Sequence, residues 1–95
     1  MDFKEKVYKF TGKIPKGKLA TYKSVAMAVG RPRAYRGVAN ALAQNFDPKI
    51  PCYRVVRSDG FVGGYNRGIP KKKQLLWSEG IEIKNNRIDL NKFLC

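Results

Sequence analysis

The segment TYKSVAMAVGRPRAYRGVANALAQ, residues 21–44, constrains the fold most. It carries two stretches of helical periodicity with almost nothing between them. In the first, Val25, Ala26 and Val29 form an apolar stripe, and the Thr21 hydroxyl stands where it can cap the helix. Gly30 ends that helix. Arg31-Pro32-Arg33 leaves room only for a tight connection. The second helix is expected from about Arg33 to Gln44, with Val38, Ala41 and Leu42 facing inward. Its small residues (Ala34, Gly37, Ala39, Ala41, Ala43) would let its backbone approach something closely. Two short helices on so short a turn fit a helix-turn-helix, and they also fit an ordinary αα-hairpin. Charge tips the choice. Twenty Lys+Arg against seven Asp+Glu leave a net charge of +13, which predicts a polyanionic partner, nucleic acid first. A membrane surface fits less well, because no segment pairs a long apolar face with a lysine-rich one.

The flanks supply the rest of one small domain, residues 1–95. Asp2 to about Lys13 reads as a capped helix, with Phe3, Val7 and Phe10 on one face and Glu5 three residues after the cap. GKIPKGK then breaks it. In RVVRSDGFVGGY, Val55-Val56 and Phe61-Val62 flank Asp59-Gly60, which predicts a hairpin. GIPKKKQLLWSEG predicts a helix with Pro70 in its first turn and Gly80 at its end. Leu75, Leu76 and Trp77 are expected to pack inward, and the Lys71-Lys72-Lys73 run to lie on a solvated face or beside phosphates. A small terminal hairpin is expected over Asn85-Asn86. The fold class that follows is α/β but mostly α: a small winged helix-turn-helix-like domain with a short β-hairpin.

Two cysteines, Cys52 and Cys95, make a poor disulfide framework, and there is no histidine. Both thiols are expected to be free, and with no CxxC pair a structural metal is not expected. The opening MDFKEKVYKF has no apolar run before a cleavage site, and no stretch approaches a membrane span of about 20 apolar residues. A reducing compartment is expected, cytoplasmic (nucleoid-associated) or nuclear. Cys52 draws notice because it sits between Pro51 and Tyr53-Arg54. A reactive thiol needs access and help in ionising, whereas an inert one is simply buried.

Three segments in order carry a resemblance: GKLATYKSVAMAVGRPRAYRGVANALAQN, IPCYRVVRSDGFVGGYNRG and KKKQLLWSEG. Over about residues 3 to 80 the chain resembles the active-site domain of the O6-alkylguanine-DNA alkyltransferases. Their core motif is Pro-Cys-His-Arg followed by Val. The resemblance implies a protein that binds double-stranded DNA containing O6-alkylguanine. It flips the damaged base from the stack and transfers the alkyl group irreversibly to cysteine, once, with no cofactor. A monomer is expected, with other DNA-repair proteins as further partners.

The resemblance also implies roles. Cys52 would accept the alkyl group. Tyr22 would contact the flipped nucleotide and assist the leaving guanine. Arg36 would enter the base stack. Asn45 would link the recognition helix to the cysteine segment, and Glu79 would end a hydrogen-bond relay through Tyr53. Arg33, Ala34, Gly37, Asn40 and Arg54 are the further DNA-binding candidates, with Arg54 also favouring the thiolate. Pro51, Val62, Gly63, Gly64, Tyr65 and Asn66 are the candidate walls of the substrate pocket.

The chain departs from the family at Tyr53, where histidine is usual. A phenol with a reference pKa near 10 is a poor base at neutral pH. Asn66 stands where many members have serine. The extra N-terminal domain common in the family is not seen in the chain. The short alkyltransferase-like proteins, which bind alkylated DNA without repairing it, are also similar, but they usually lack the cysteine. The reading is therefore an alkyltransferase. Its rivals are a lesion-binding protein without transfer activity and a helix-turn-helix regulator reading sequence.

Overall fold

The structure, a computed structural model, describes residues 2–94. Cys95, read above as a free thiol, lies outside the described residues. Local capping chemistry sets the first two helices. Helix α1 (Phe3–Thr11) starts where the Asp2 carboxylate accepts the Glu5 N–H at 2.8 Å. It stops short of Lys13, and the Thr11 hydroxyl turns back to donate to the Val7 carbonyl at 2.7 Å. Helix α2 (Tyr22–Ala28) is capped reciprocally. The Thr21 hydroxyl accepts from the Ser24 N–H at 3.0 Å, and the Ser24 hydroxyl accepts from the Thr21 N–H at 2.9 Å. Helix α3 (Tyr35–Ala43) begins later than expected, because Arg33 and Ala34 belong to the turn that the Ala34 N–H closes onto the Arg31 carbonyl. Val38, Ala41 and Leu42 face inward as expected.

A very short parallel ladder joins the two halves of the molecule. Strand β1 (Ala20–Thr21) pairs with β2 (Val55–Val56), Ala20 opposite Val55 and Thr21 opposite Val56. Side chains alternate across a strand. Ala20 and Val55 therefore enter one core with Val7, Val25, Val38, Leu42 and Cys52. Leu19 and Val56 enter a second core with Val62, Leu76, Ile81 and Ile88. The first core sits under α1, α2 and α3. The second sits under helix α4 (Ile69–Ser78) and the C-terminal segment, which ends in the short helix α5 (Leu90–Phe93).

Two expectations need correction here. The loop over Asp59-Gly60 does close, with Arg57 N–H donating to the Phe61 carbonyl at 3.0 Å. However, Val55-Val56 takes its ladder from β1, not from Phe61-Val62. Phe61 instead bridges Arg87 in antiparallel fashion, and the Val62 N–H donates to the Asn86 carbonyl at 2.9 Å. Val55 and Val56 are both fully buried, so this segment needs cover on both faces, which a two-stranded hairpin would not give. The terminal hairpin forms as expected. Asn85 and Asn86 adopt φ of 53° and 62°, the left-handed pair that a tight two-residue turn requires. Trp77, expected inside, is 76% exposed, because Leu76 fills the core position and the next residue on a helix points about 100° away.

Candidate active site

Pro51 and Cys52 lead into a 3₁₀ turn, Cys52–Arg54, that feeds β2. The Cys52 N–H donates to the Ile50 carbonyl at 2.8 Å, and the Arg54 N–H to the Pro51 carbonyl at 2.9 Å. Asn45, 5% exposed, holds the preceding loop from the end of α3. Its amide nitrogen donates to the Ile50 carbonyl at 3.2 Å, and its oxygen accepts the Asp47 N–H at 3.1 Å. Asn45 thus joins the end of α3 to the loop before Cys52.

Cys52, 8% exposed, lines a cavity of about 510 Å³. Helix α3 supplies one wall through Arg36, Ala39, Asn40 and Ala43. Tyr22 of α2 and the loop Gly63, Gly64, Tyr65 and Asn66 supply the other. Gly63 has φ of +78°, and a Cβ there would meet the Tyr22 ring at 3.4 Å, so the loop and the phenol are in close packing. Asn66 fastens that loop to α3, donating to the Ala43 and Asn45 carbonyls at 3.0 and 2.6 Å. Burial, and secondarily the charge of Cys52, push the Tyr22 phenol up to about 12, so it remains a hydrogen-bond donor. A neighbouring hollow of about 310 Å³ is bordered by Tyr22, Lys23, Tyr35, Arg57 and Ser58.

Behind the cysteine lies a polar cluster. The Tyr53 hydroxyl donates to Glu79 Oε2 at 2.5 Å. Arg54 donates to Glu79 through Nε at 2.9 Å and Nη2 at 2.7 Å, and through Nη1 to the Ile14 carbonyl at 2.7 Å. The Gly17 N–H donates to Glu79 at 3.0 Å. Burial alone would raise the Glu79 carboxyl; the hydrogen bonds from Arg54, Gly17 and Tyr53 outweigh it and hold the group below its ordinary value. Burial, then the bond to Glu79, push the Tyr53 phenol up to about 12.

Several expected residues stand elsewhere. Arg54 faces this cluster, so its donors are committed to Glu79 and Ile14 and not to a DNA surface. Gly37 packs its backbone on α1: a Cβ there would meet the Phe3 ring at 3.3 Å, so the close approach is helix to helix. Val62 belongs to the second core, and Pro51 is buried, and neither lines the cavity. Arg33 is exposed in the turn before α3, beside half-buried Ala34. Tyr35 and Arg57 line the cavity without having been singled out. Lys72, expected on a solvated face or beside phosphates, is fully buried. Its ammonium donates to the Val55 carbonyl at 2.8 Å and the Gly64 carbonyl at 3.0 Å. Nothing in a run of three lysines distinguishes the buried one, except that Lys72 lies four residues before Leu76 on the same helix face.

The family model described as "6-O-methylguanine DNA methyltransferase, DNA binding domain" matches residues 2–81. The chain belongs to that family. It is 43% identical over 94 residues to a bifunctional methyltransferase/endonuclease of Picrophilus torridus, covering 98% of this chain and 32% of that protein. It is 46% identical over 78 residues to a methylated-DNA–protein-cysteine methyltransferase of Methanosarcina barkeri, covering 79% of this chain and 48% of that protein. The chain thus spans half or less of these relatives' length. Among solved structures it superposes on S. pombe Atl1 in complex with damaged DNA containing O6-carboxymethylguanine, with TM-score 0.87 and 30% identity. That match covers 98% of this chain and 94% of Atl1. On Mycobacterium tuberculosis OGT in complex with DNA, the TM-score is 0.80 at 36% identity, covering 84% of this chain and 49% of that one. The mostly helical fold expected from the sequence is the fold of these methyltransferase-family domains. Among the described residues no helix is long and apolar enough to cross a membrane.

Proposed function

We propose that this protein repairs O6-alkylguanine in duplex DNA by taking the alkyl group onto Cys52. One observation carries the reading: the Cys52 thiol lines the same cavity as α3, the Tyr22 phenol and the Gly63–Asn66 loop. A base flipped from the duplex enters that cavity, with Arg36 from α3 filling the gap it leaves. Extrusion costs a few kcal/mol, offset by lysine and arginine contacts to phosphate. The Cys52 sulfur, as thiolate, attacks the alkyl carbon in line with its bond to O6. The S–C bond forms as the C–O bond breaks. The electron pair passes to the guanine, which takes up a proton and leaves, and the cysteine ends as a neutral thioether. Tyr22, kept protonated, is the donor beside the leaving base.

A second reading is a lesion-binding protein without transfer. It is favoured by Tyr53, whose hydroxyl is committed to Glu79 where a histidine would serve as base, and by the similarity to Atl1 along nearly the whole of both chains. Intact-protein mass after mixing with duplex DNA carrying one O6-methylguanine separates the two. The expected result is a gain of one methyl group, mapped to the Cys52 peptide and absent in Cys52→Ala. Lesion-selective binding with no gain in mass would establish the second reading instead.

A further inference from the structure

We propose that Arg57 and Arg87 form a phosphate clamp on the rim of the cavity, gripping the DNA strand beyond the nucleotide that enters it. This rests on the reading of the cavity as the site of a flipped base. The clamp joins two segments far apart in sequence. Arg57 closes the loop after β2, its N–H donating to the Phe61 carbonyl at 3.0 Å. Arg87 lies in the terminal hairpin and bridges Phe61 in antiparallel fashion. The Val62 N–H to the Asn86 carbonyl, at 2.9 Å, and the Ile88 N–H to the Gly60 carbonyl, at 2.8 Å, fasten the hairpin to the loop.

Both guanidiniums stand over the Phe61 ring, Arg57 at 5.5 Å and Arg87 at 5.7 Å from its centroid. Both also bond to Asp59. Arg57 Nη2 donates to its Oδ2 at 3.1 Å, and Arg87 Nη1 donates to its carbonyl at 3.2 Å. The other carboxylate oxygen of Asp59 accepts the Phe61 N–H at 3.0 Å. Two exposed cations thus share one ring and one carboxylate, which leaves positive charge on the rim. Like charges gathered so closely repel, and an exposed ion pair offsets little of that. An anion would offset it. Each guanidinium carries five N–H donors in a planar fork. Among the described residues each spends one hydrogen bond, on Asp59, and the other donors are open to phosphate oxygens, which the fork matches. The ring and the paired backbones hold both forks in place before DNA arrives, so less freedom is lost on binding. The location fits the task. Arg57 lines both the cavity that holds Cys52 and the hollow bordered by Lys23 and Ser58, and Arg87 borders neither. A strand whose base enters the cavity meets Arg57 at the mouth. Arg87 stands farther along the same rim, where the adjoining phosphates would run. Such contacts position the duplex and read no sequence.

The test is the salt dependence of binding, read by fluorescence anisotropy on lesion-bearing and unmodified duplexes. Arg87→Gln removes the charge and keeps donors, and Arg87→Lys keeps the charge. Lys84→Gln removes one charge from the same hairpin, where the Lys84 carbonyl accepts the Arg87 N–H. Arg87→Gln is expected to reduce the slope of log K against log salt by about one and to weaken both duplexes ~fivefold at ~0.1 M salt. Arg57→Gln combined with Arg87→Gln should reduce it by about two. Arg87→Lys is expected to keep the slope, and Lys84→Gln to leave it unchanged. A wild-type slope in Arg87→Gln would overturn the proposal. So would an equal loss in Lys84→Gln, since the charge would then act only through the general field. Should Arg87→Gln fail to fold, the wild type decides. Modification of Arg87 by phenylglyoxal, read from the mass of its peptide, is expected to slow at least ~fivefold under saturating unmodified duplex, and no protection would refute the clamp. Methyl transfer is scored separately. Arg87-dependent binding with no methyl gained by Cys52 from O6-methylguanine DNA would sink the repair reading and leave the clamp standing. Transfer with no dependence of binding on Arg87 would do the reverse.

Discussion

Tyr53, which the resemblance sets where histidine is usual, cannot do a histidine's chemistry. Its hydroxyl donates to Glu79 and its phenol is pushed up to about 12, so at neutral pH it has no vacancy for a proton from the thiol. The hydrogen bond is structural: it completes the set of donors that keeps Glu79 ionised and, through Glu79, holds Arg54 in a largely buried pair. Tyr53→Phe is therefore expected to leave single-turnover methyl transfer within ~threefold while lowering unfolding free energy by about 2 kcal/mol, the net value of a hydrogen bond to a charged group. Quench kinetics and urea unfolding on the same preparation check both halves. A loss of ~100-fold in transfer would mean the hydroxyl relays the proton after all. What help the thiol receives must then come from elsewhere around the cavity.

At the scale of elements, what was legible in the sequence is what is local. Asp2 and Thr21 announce their helices because a cap acts within three residues of itself, and Asn85-Asn86 announces its turn because two adjacent residues adopt left-handed φ. Strand pairing is not local. Val55-Val56 is flanked by a sound turn, yet its partner is Ala20-Thr21, more than thirty residues away. The burial of Lys72 and the exposure of Trp77 escape the sequence for the same reason, since both depend on which face of α4 meets the second core. At the site, most of the cavity-lining residues were legible from motif resemblance, and the misplacements were those where a residue distant in sequence decides: Glu79 claims Arg54, and Phe3 claims Gly37. The Asp59-Gly60 loop gives a direct test of its own pairing with the terminal segment. Gly60 has φ of +88°, and a Cβ there would lie 2.8 Å from the Ile88 carbonyl oxygen, while the Ile88 N–H donates to the Gly60 carbonyl at 2.8 Å. Gly60→Ala is thus expected to lose about 2 kcal/mol of stability from backbone strain and the displaced partner. Proton exchange at the Ile88 amide should rise with it. An unchanged melting temperature would refute this pairing of the Asp59-Gly60 loop with the terminal segment.

For the whole molecule the net charge of +13 is not one undivided surface. Lys72 and Arg54 are internal, holding the loop and Glu79. Arg57 shares its charge with Asp59, and Lys92 with Glu82. The remaining cations divide by task according to where they stand. Arg36 lines the cavity, and Lys23 borders the hollow beside it. A cation on a phosphate releases counterions and enters the salt dependence of binding; one that replaces a base inside the stack does not enter it in the same way. Lys23→Ala is expected to reduce the slope of log K against log salt by about one and to weaken lesion-bearing and unmodified duplexes alike. Arg36→Ala should leave the slope near its original value and weaken lesion binding ~tenfold, about 1.4 kcal/mol, because the gap left by the flipped base is no longer filled. Fluorescence anisotropy on both duplexes across a salt series reads the two effects together. Should Arg36→Ala lower the slope like Lys23→Ala and weaken both duplexes equally, Arg36 is a phosphate contact and does not fill the gap left in the stack.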